Sequence, residues 1–306
     1  MTSILIVGTG ALATLFAARL ARAGLLVTML GGWREALDAL AQGGAQIEGH
    51  LPQPVRTTDN PASCAPTKLA LVLVKSWQTD RAADCLATCL APDGFAITFQ
   101  NGLGNLERLQ AALGAERVAA GVTTLGATLL APAVVRLAGE GTLWLEETAR
   151  LEEAATLLTL AGFRVERVPD IRPRQWGKLL INAAINPLTA VLRVPNGALL
   201  TDPHAHAILV KLVEEATQVA AAQGISLPFA DPLQAVEEVA RQTAENLSSM
   251  LRDVLRNAPT EIDAITGQIL RFGAQSGVAT PCHQQMYEFV QKRTTLSSTL
   301  LYDMLQ

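Results

Sequence analysis

Residues 3–7, Ser-Ile-Leu-Ile-Val, form a short apolar run that stops at Gly8. From Leu12 the apolar positions then fall at helical spacing (Leu12, Leu15, Phe16, Leu20) until Gly24 can cap the helix. A second β-rich run, Leu25 to Leu30, follows at once, so this stretch predicts a βαβ unit. Further strand-like runs occupy 69–74, 95–99 and 117–125, separated by Ala/Leu-rich helical or turn sequence. Strands that alternate with helices imply a parallel sheet covered on both faces.

The pattern changes near residue 126. "GATLLAPAVVRLAGEGTLWLEE" reads as short strands joined by turns around Pro132 and Gly139-Glu140-Gly141, which predicts antiparallel additions to the sheet edge. A helix near 148–161 and a strand at 163–168 complete this region. From Pro169 strands nearly vanish, and helical patterns cover 174–193, 204–224, 231–256 and 260–276, broken at Pro195-Asn196-Gly197, "GISLP" and "NAPT". The expected plan is α/β: a Rossmann-type dinucleotide-binding domain over 1–168, then an all-helical substrate domain over 169–306.

Within the first long helical pattern, "KLLINAAINP" is apolar on every side except at Lys178, Asn182 and Asn186, which recur every fourth residue. On an α-helix these side chains form one column, rising about 6 Å per step. A lysine and two amides in line on an apolar helix suggest donors aimed at a ligand, and ligand sites favour domain interfaces.

Composition narrows the classes. Of the 306 residues 49% are hydrophobic and 17% charged, and no apolar stretch reaches the roughly 20 residues of a membrane span. A net charge of -4 without a Lys/Arg run argues against nucleic acid. No basic region or cleavage site precedes the first strand, so a cytoplasmic protein is expected. Cys64, Cys85, Cys89 and Cys282 form no C-x-x-C pair and are expected as buried thiols, and His204 and His206 as surface residues, with no metal. An Ala/Leu-rich helical domain is compatible with a homodimer and equally with an intramolecular core.

The candidate chemistry begins at Gly8, Thr9, Gly10, Ala11, Leu12 and Ala13, a G-x-G-x-x-A turn between strand and helix in which Ala13 takes the place of the third glycine. The first two glycines let the backbone approach a pyrophosphate, which the helix N-terminus would bind. Lys75 and Gln100-Asn101-Gly102 each follow a strand, where ligands of doubly wound sheets sit. Taken alone they could equally be a solvated lysine and a common turn. Thr260, with Asp263 three residues on, resembles a capping box, which would put Glu261 in the first helical turn.

These pieces together resemble the ketopantoate reductase (2-dehydropantoate 2-reductase) family of the 6-phosphogluconate dehydrogenase-like group. The likeness rests on G-x-G-x-x-[GA] at Gly8 to Ala13, V-K-x-x-Q-T at Val74 to Thr79, Q-N-G-x-G at Gln100 to Gly104, W-x-K-x-x-x-N-x-x-x-N-P at Trp176 to Pro187, and S-S-M-x-x-D with T-E-I-D at Ser248 to Asp253 and Thr260 to Asp263. The resemblance implies that Lys178 is the proton donor and that Asn182 and Asn186 line the substrate pocket with it. It implies further substrate contacts from Asn196 and from Asn246 to Ser249. Lys75, Asn101, Ala127 and Glu261 would contact the cofactor or close the ternary complex, Glu261 also being a candidate partner for the substrate hydroxyl.

Cofactor choice departs from the family pattern. An NAD-binding fold usually ends its second strand with Asp or Glu for the ribose 2′-hydroxyl, whereas here Gly31-Gly32 stand there. That leans toward NADPH. Family members that prefer NADPH place an arginine directly after the strand, while Arg34, the candidate 2′-phosphate ligand, comes several residues later. Three readings follow: an NADPH-dependent ketopantoate reductase, a reductase of another branched 2-keto acid, and a dinucleotide-binding sensor without turnover.

Overall fold

Alternate residues of the first strand enter different cores. In β1 (Ser3–Val7), Ile4 and Ile6 join one apolar cluster with Leu15 and Phe16, while Leu5 and Val7 join another with Leu86 and Leu109. A strand with period 2 and no polar face must lie inside a sheet covered on both sides. In the computed structural model, which describes residues 3–64 and 66–305, the chain divides into two units. One comprises Met1–Gln100 and Asn105–Ile171, the other Asn101–Gly104 and Arg172–Gln306.

The first unit adds the strands β2 (Leu26–Leu30), β3 (Gln46–Ile47), β4 (Arg56–Thr58), β5 (Thr67–Val72), β6 (Leu90–Thr98), β7 (Val118–Thr123), β8 (Gly126–Ala131), β9 (Val134–Gly139), β10 (Thr142–Glu146) and β11 (Arg164–Val168). Its helices are α1 (Ala11–Arg22), α2 (Arg34–Gly43), α3 (Thr79–Cys89), α4 (Asn105–Leu113) and α5 (Glu152–Leu160). The main sheet has eight strands in the order β11-β10-β7-β6-β5-β1-β2-β4. Its pairs are parallel except β7 with β10. The chain runs from β1 to β2 on one side and later returns to β5 on the other, so the topological switch point, where such sheets bind ligands, lies at β1.

The strands after residue 126 do not all extend this sheet as expected. Only β10 pairs antiparallel with its edge strand β7; β8 and β9 form a separate three-stranded sheet with β3. The reason is packing: Ala127, Leu129, Val135 and Leu137 lie against the cluster that contains Leu15 and Phe16, so this small sheet covers α1. The turn between β8 and β9 places Ala133 at φ 67, an uncommon conformation for a residue with a Cβ.

The second unit is helical: α6 (Arg172–Leu192), α7 (Ala198–Thr201), α8 (Pro203–Ala222), α9 (Pro232–Gln242), α10 (Ser249–Leu255), α11 (Thr266–Ser276), α12 (Pro281–Gln291) and α13 (Ser298–Met304). Its core gathers Leu180, Ala184 and Leu188 of α6 with Leu209, Leu212 and Val219 of α8 and Met286 of α12. Two expected helices are shorter than the periodicity suggests. The span 231–256 breaks into α9 and α10, because Ser248 caps α10 through Leu251 N–H at 3.1 Å and the carbonyls of Ala244 and Asn246 accept the N–H groups of Gly197 and Asn196. The span 260–276 becomes helical only at Thr266, so Thr260 is not an N-cap. Residues 261–265 instead form turns in which the Glu261 carbonyl accepts from Ala264 and Ile265 N–H.

Candidate active site

In the first unit the glycine loop follows β1. Gly8 has φ +135, and a Cβ there would fall 2.9 Å from the Leu73 carbonyl oxygen, so only glycine fits beside β5. Gly10 differs: a Cβ would meet no atom within 4 Å, so its glycine is not demanded by the fold. It opens α1, whose start has no side-chain cap, which leaves the first-turn N–H groups without a side-chain acceptor. Ala13 is wholly buried in the core beneath the sheet-facing side of α1, while Ala11 and Leu12 are half-buried. The loop therefore fits the pyrophosphate of a dinucleotide: rigid where it meets the sheet and bare where an anion would sit.

The end of β2 is equally crowded. A Cβ on Gly31 would fall 2.8 Å from Thr9 Cγ2, and one on Gly32 2.8 Å from Arg81 Nη2. No acidic residue stands there; side chains from the glycine loop and from α3 lie against the two glycines instead. An open cleft lies here, lined by Leu30, Gly31, Gly32, Asp59, Gln78 and Arg81 among others. Arg34 opens α2 nearby and is held by Asp59, Nη1 to Oδ2 2.6 Å, both side chains being exposed. The sequence motif included Gln78 without a role and did not reach Arg81. The signal was their spacing of three residues across the start of α3, which puts both on one face.

Lys75 is half-buried in the turn after β5. The two polar loops of the sequence motifs are tied within this unit: Gln100 Nε2 donates to Thr79 Oγ1 at 2.9 Å, and Thr79 Oγ1 donates to Asn105 Oδ1 at 2.9 Å. Gln100 and Thr79 thus hold the loops in shape. Ala127 sits in β8, half-buried against the core around α1.

In the second unit α6 is helical throughout 172–192, which places Lys178, Asn182 and Asn186 in one column. Their neighbours Leu179, Leu180, Ala183 and Ala184 are buried, as are Trp176 and Gly177. A Cβ on Gly177 would fall 2.8 Å from Pro228 Cγ, so the loop carrying Pro228 and Phe229 presses on the helix just before the lysine. Burial draws the Lys178 ammonium down to about 8, with the nearby Glu261 carboxylate acting in the opposite direction. Asn186 is 7% exposed, and among the described residues neither its amide nor that of Asn182 has an intramolecular hydrogen bond. Asn182 is half-buried, and amides left without a protein partner suit a polar ligand.

Glu261 is only 4% exposed and accepts from Asn101 Nδ2 at 3.2 Å. Asn101 belongs to a loop that packs on the turn before α11: Leu103 N–H donates to the Ala264 carbonyl at 2.9 Å, and Gly102 at φ +80 leaves no room for a Cβ against that carbonyl. Asn196 is buried, its Nδ2 donating to Thr243 Oγ1 at 2.9 Å, its N–H to the Asn246 carbonyl at 3.0 Å. Its Oδ1 has no partner among the described residues. Ser248, rather than Ser249, is the buried serine of its pair: it caps α10 and accepts from Thr189 Oγ1 at 2.7 Å, while Ser249 is exposed. The structure thus brings Lys178, Glu261 and Asn101 together, and Asn196 with Asn246.

A doubly wound sheet with a bare glycine loop at its switch point, followed by a helical unit with a desolvated lysine near a carboxylate, is the arrangement of a nucleotide-dependent oxidoreductase, and the relatives of this chain are such enzymes. The chain belongs to the ketopantoate reductase family: residues 4–150 match the family model described as ketopantoate reductase PanE/ApbA, and residues 170–294 its C-terminal counterpart. It is 35% identical to a 2-dehydropantoate 2-reductase of Archaeoglobus fulgidus, over 94% of this chain and 96% of that one. With the enzyme of that name from Pyrococcus horikoshii the identity is 32%, covering 96% and 98% of the two chains. The crystal structure of the Geobacter metallireducens 2-dehydropantoate 2-reductase superposes with a TM-score of 0.88 at 30% identity, covering 95% of this chain and all of that one. A D-mandelate dehydrogenase solved with NADH and anilino(oxo)acetate shares the fold, with a TM-score of 0.88 at 24% identity over 98% and 99% of the chains.

Proposed function

We propose that this protein reduces ketopantoate to pantoate with NADPH, residues 1–168 binding the cofactor and 169–306 the keto acid. The observation that carries the assignment is Lys178, drawn to about 8 by burial, with a carboxylate nearby and two unpartnered amides above it on the same helix face. Bound NADPH would supply the hydride for the carbonyl carbon. Lys178 then gives a proton to the oxygen that becomes the hydroxyl, and its positive charge stabilises that oxygen while negative charge develops. A group titrating near 8 is still mostly protonated at neutral pH yet gives up its proton readily, which suits a general acid. Solvent returns the proton to the lysine after turnover.

Asn182 and Asn186 would orient the substrate's oxygens without adding a competing charge, and Asn196 and Asn246 would extend the pocket. Glu261, held by Asn101, would accept from the substrate's terminal hydroxyl. Gly8 to Ala13, Lys75, Asn101 and Ala127 would hold the cofactor. Two further points belong to the same proposal: a cytoplasmic location and assembly as a homodimer, the latter checked by sedimentation. The test is an absorbance assay of NADPH consumption with ketopantoate and a panel of 2-keto acids. Turnover fastest on ketopantoate is the expected result. Preference for an acid without the hydroxymethyl group would reassign the substrate, and no turnover with any would leave a binding protein.

A further inference from the structure

The 2′-phosphate of the cofactor needs a cation near the end of β2, and Arg34 is already engaged by Asp59. Among the described residues Arg81 makes no salt bridge, although Asp80 beside it pairs with Arg108. Its guanidinium lies over Gly32: a Cβ there would be 2.8 Å from Nη2, 3.0 Å from Nη1 and 3.2 Å from Cζ. All three guanidinium atoms are therefore beside the backbone that leaves β2, on the wall of the cleft at the sheet's switch-point edge.

We infer that Arg81 is the residue by which this enzyme selects a 2′-phosphorylated adenosine, and that Gly32 is glycine so that the guanidinium can reach this position. This rests on the NADPH reading given above. The side chain comes from α3, a different element from the loop after β2 where the sequence places Arg34. Its position within the helix is itself informative. Arg81 stands in the first turn of α3, where a cation opposes the helix dipole, and an anion bound there would be favoured by both the dipole and the planar fork of donors. A lysine could supply charge but not paired donors. Asp59 lines the same cleft and could accept a ribose 2′-hydroxyl instead, which would favour an unphosphorylated ribose; its contact with Arg34 offsets that charge.

Calorimetric titration of the whole protein with adenosine 2′,5′-bisphosphate and with 5′-AMP tests both levels without turnover. Wild type should bind the bisphosphate about tenfold or more tightly than 5′-AMP. Arg81→Ala should reduce that preference to near unity while leaving 5′-AMP affinity in place, and Arg81→Lys should restore part of it. Gly32→Ala, whose Cβ would push the guanidinium aside, should move the preference in the same direction. Wild type binding both ligands alike would sink the NADPH reading itself. A preference that survives Arg81→Ala but disappears in Arg34→Ala would overturn the assignment to Arg81 and leave NADPH standing. Equal loss of both ligands in Arg81→Ala would also overturn it, since that is the signature of damaged packing.

Discussion

Asn101 donates its side-chain amide to the buried carboxylate of Glu261 at 3.2 Å, across 160 residues of sequence. The bond couples the loop after β6 to the turn before α11, and the backbone contact of Leu103 with Ala264 runs beside it. A carboxylate that is 4% exposed needs hydrogen-bond donors in place of the water it has lost. Asn101→Ala should therefore lower unfolding free energy by about 1–3 kcal/mol, the range for losing a hydrogen bond to a charged group. Asn101→Asp should cost more, because it sets carboxylate against carboxylate. Urea unfolding at neutral pH measures both, and an unchanged midpoint for the two variants would remove Asn101 as the support of Glu261.

The two glycines of the nucleotide loop should separate by what they break. Gly8→Ala drives a Cβ against the Leu73 carbonyl at a φ of +135, and overpacking of this kind costs about 1–3 kcal/mol. Gly10→Ala meets nothing within the protein, so its melting temperature should stay near that of wild type while NADPH binding weakens by about tenfold or more. A Gly10→Ala variant that titrates with NADPH as wild type does would mean that the pyrophosphate approaches elsewhere.

What the sequence disclosed follows the range of the forces involved. The βαβ start and the column of Lys178, Asn182 and Asn186 are local patterns, set by the 3.6-residue turn and by burial on one face. The separate sheet of β8 and β9 was not legible, because its place is decided by apolar residues that meet α1 more than a hundred positions away. The capping signal at Thr260 misled for a related reason. Ser/Thr with an acid three residues on stabilises a helix start locally, but here Glu261 turns inward to Asn101, and the helix waits until Thr266. Nothing local to Arg81 marks it in the sequence, because its significance comes from Gly32, which lies about fifty positions earlier in the chain.

Lys178 gives activity and stability opposite slopes with pH. As a general acid it must carry its proton, so kcat should fall as pH rises through about 8. For stability, the folded value of about 8 lies below the ordinary lysine value of 10.5, so the unfolded chain binds more protons between them. The cost of burying the charge is thus present below about 8 and relieved as pH climbs toward 10.5, and Lys178's contribution to stability rises through that window. Lys178→Met should abolish that rise and lower kcat about 10²-fold or more. Wild type and variant with parallel stability curves between these pH values would show that Lys178 is not desolvated.

The sharpest distinction lies in substrate choice at Glu261. Ketopantoate and 2-ketoisovalerate share the keto acid group that Lys178 and the asparagines would handle, and differ by the hydroxymethyl group. If the buried carboxylate accepts a hydrogen bond from that hydroxyl, the wild-type enzyme should reduce ketopantoate with the higher kcat/KM, because the smaller acid leaves a buried acceptor without its donor. Glu261→Ala should then lower kcat/KM for ketopantoate far more than for 2-ketoisovalerate and draw the two together. Lys178→Ala, by contrast, should slow both acids alike, since the developing alkoxide is common to them. Equal reduction of the two acids by wild type, with Glu261→Ala affecting them to the same extent, would reject hydroxyl recognition by Glu261. Lys178 would then still support a 2-keto acid reductase, with its selectivity set by another part of the pocket.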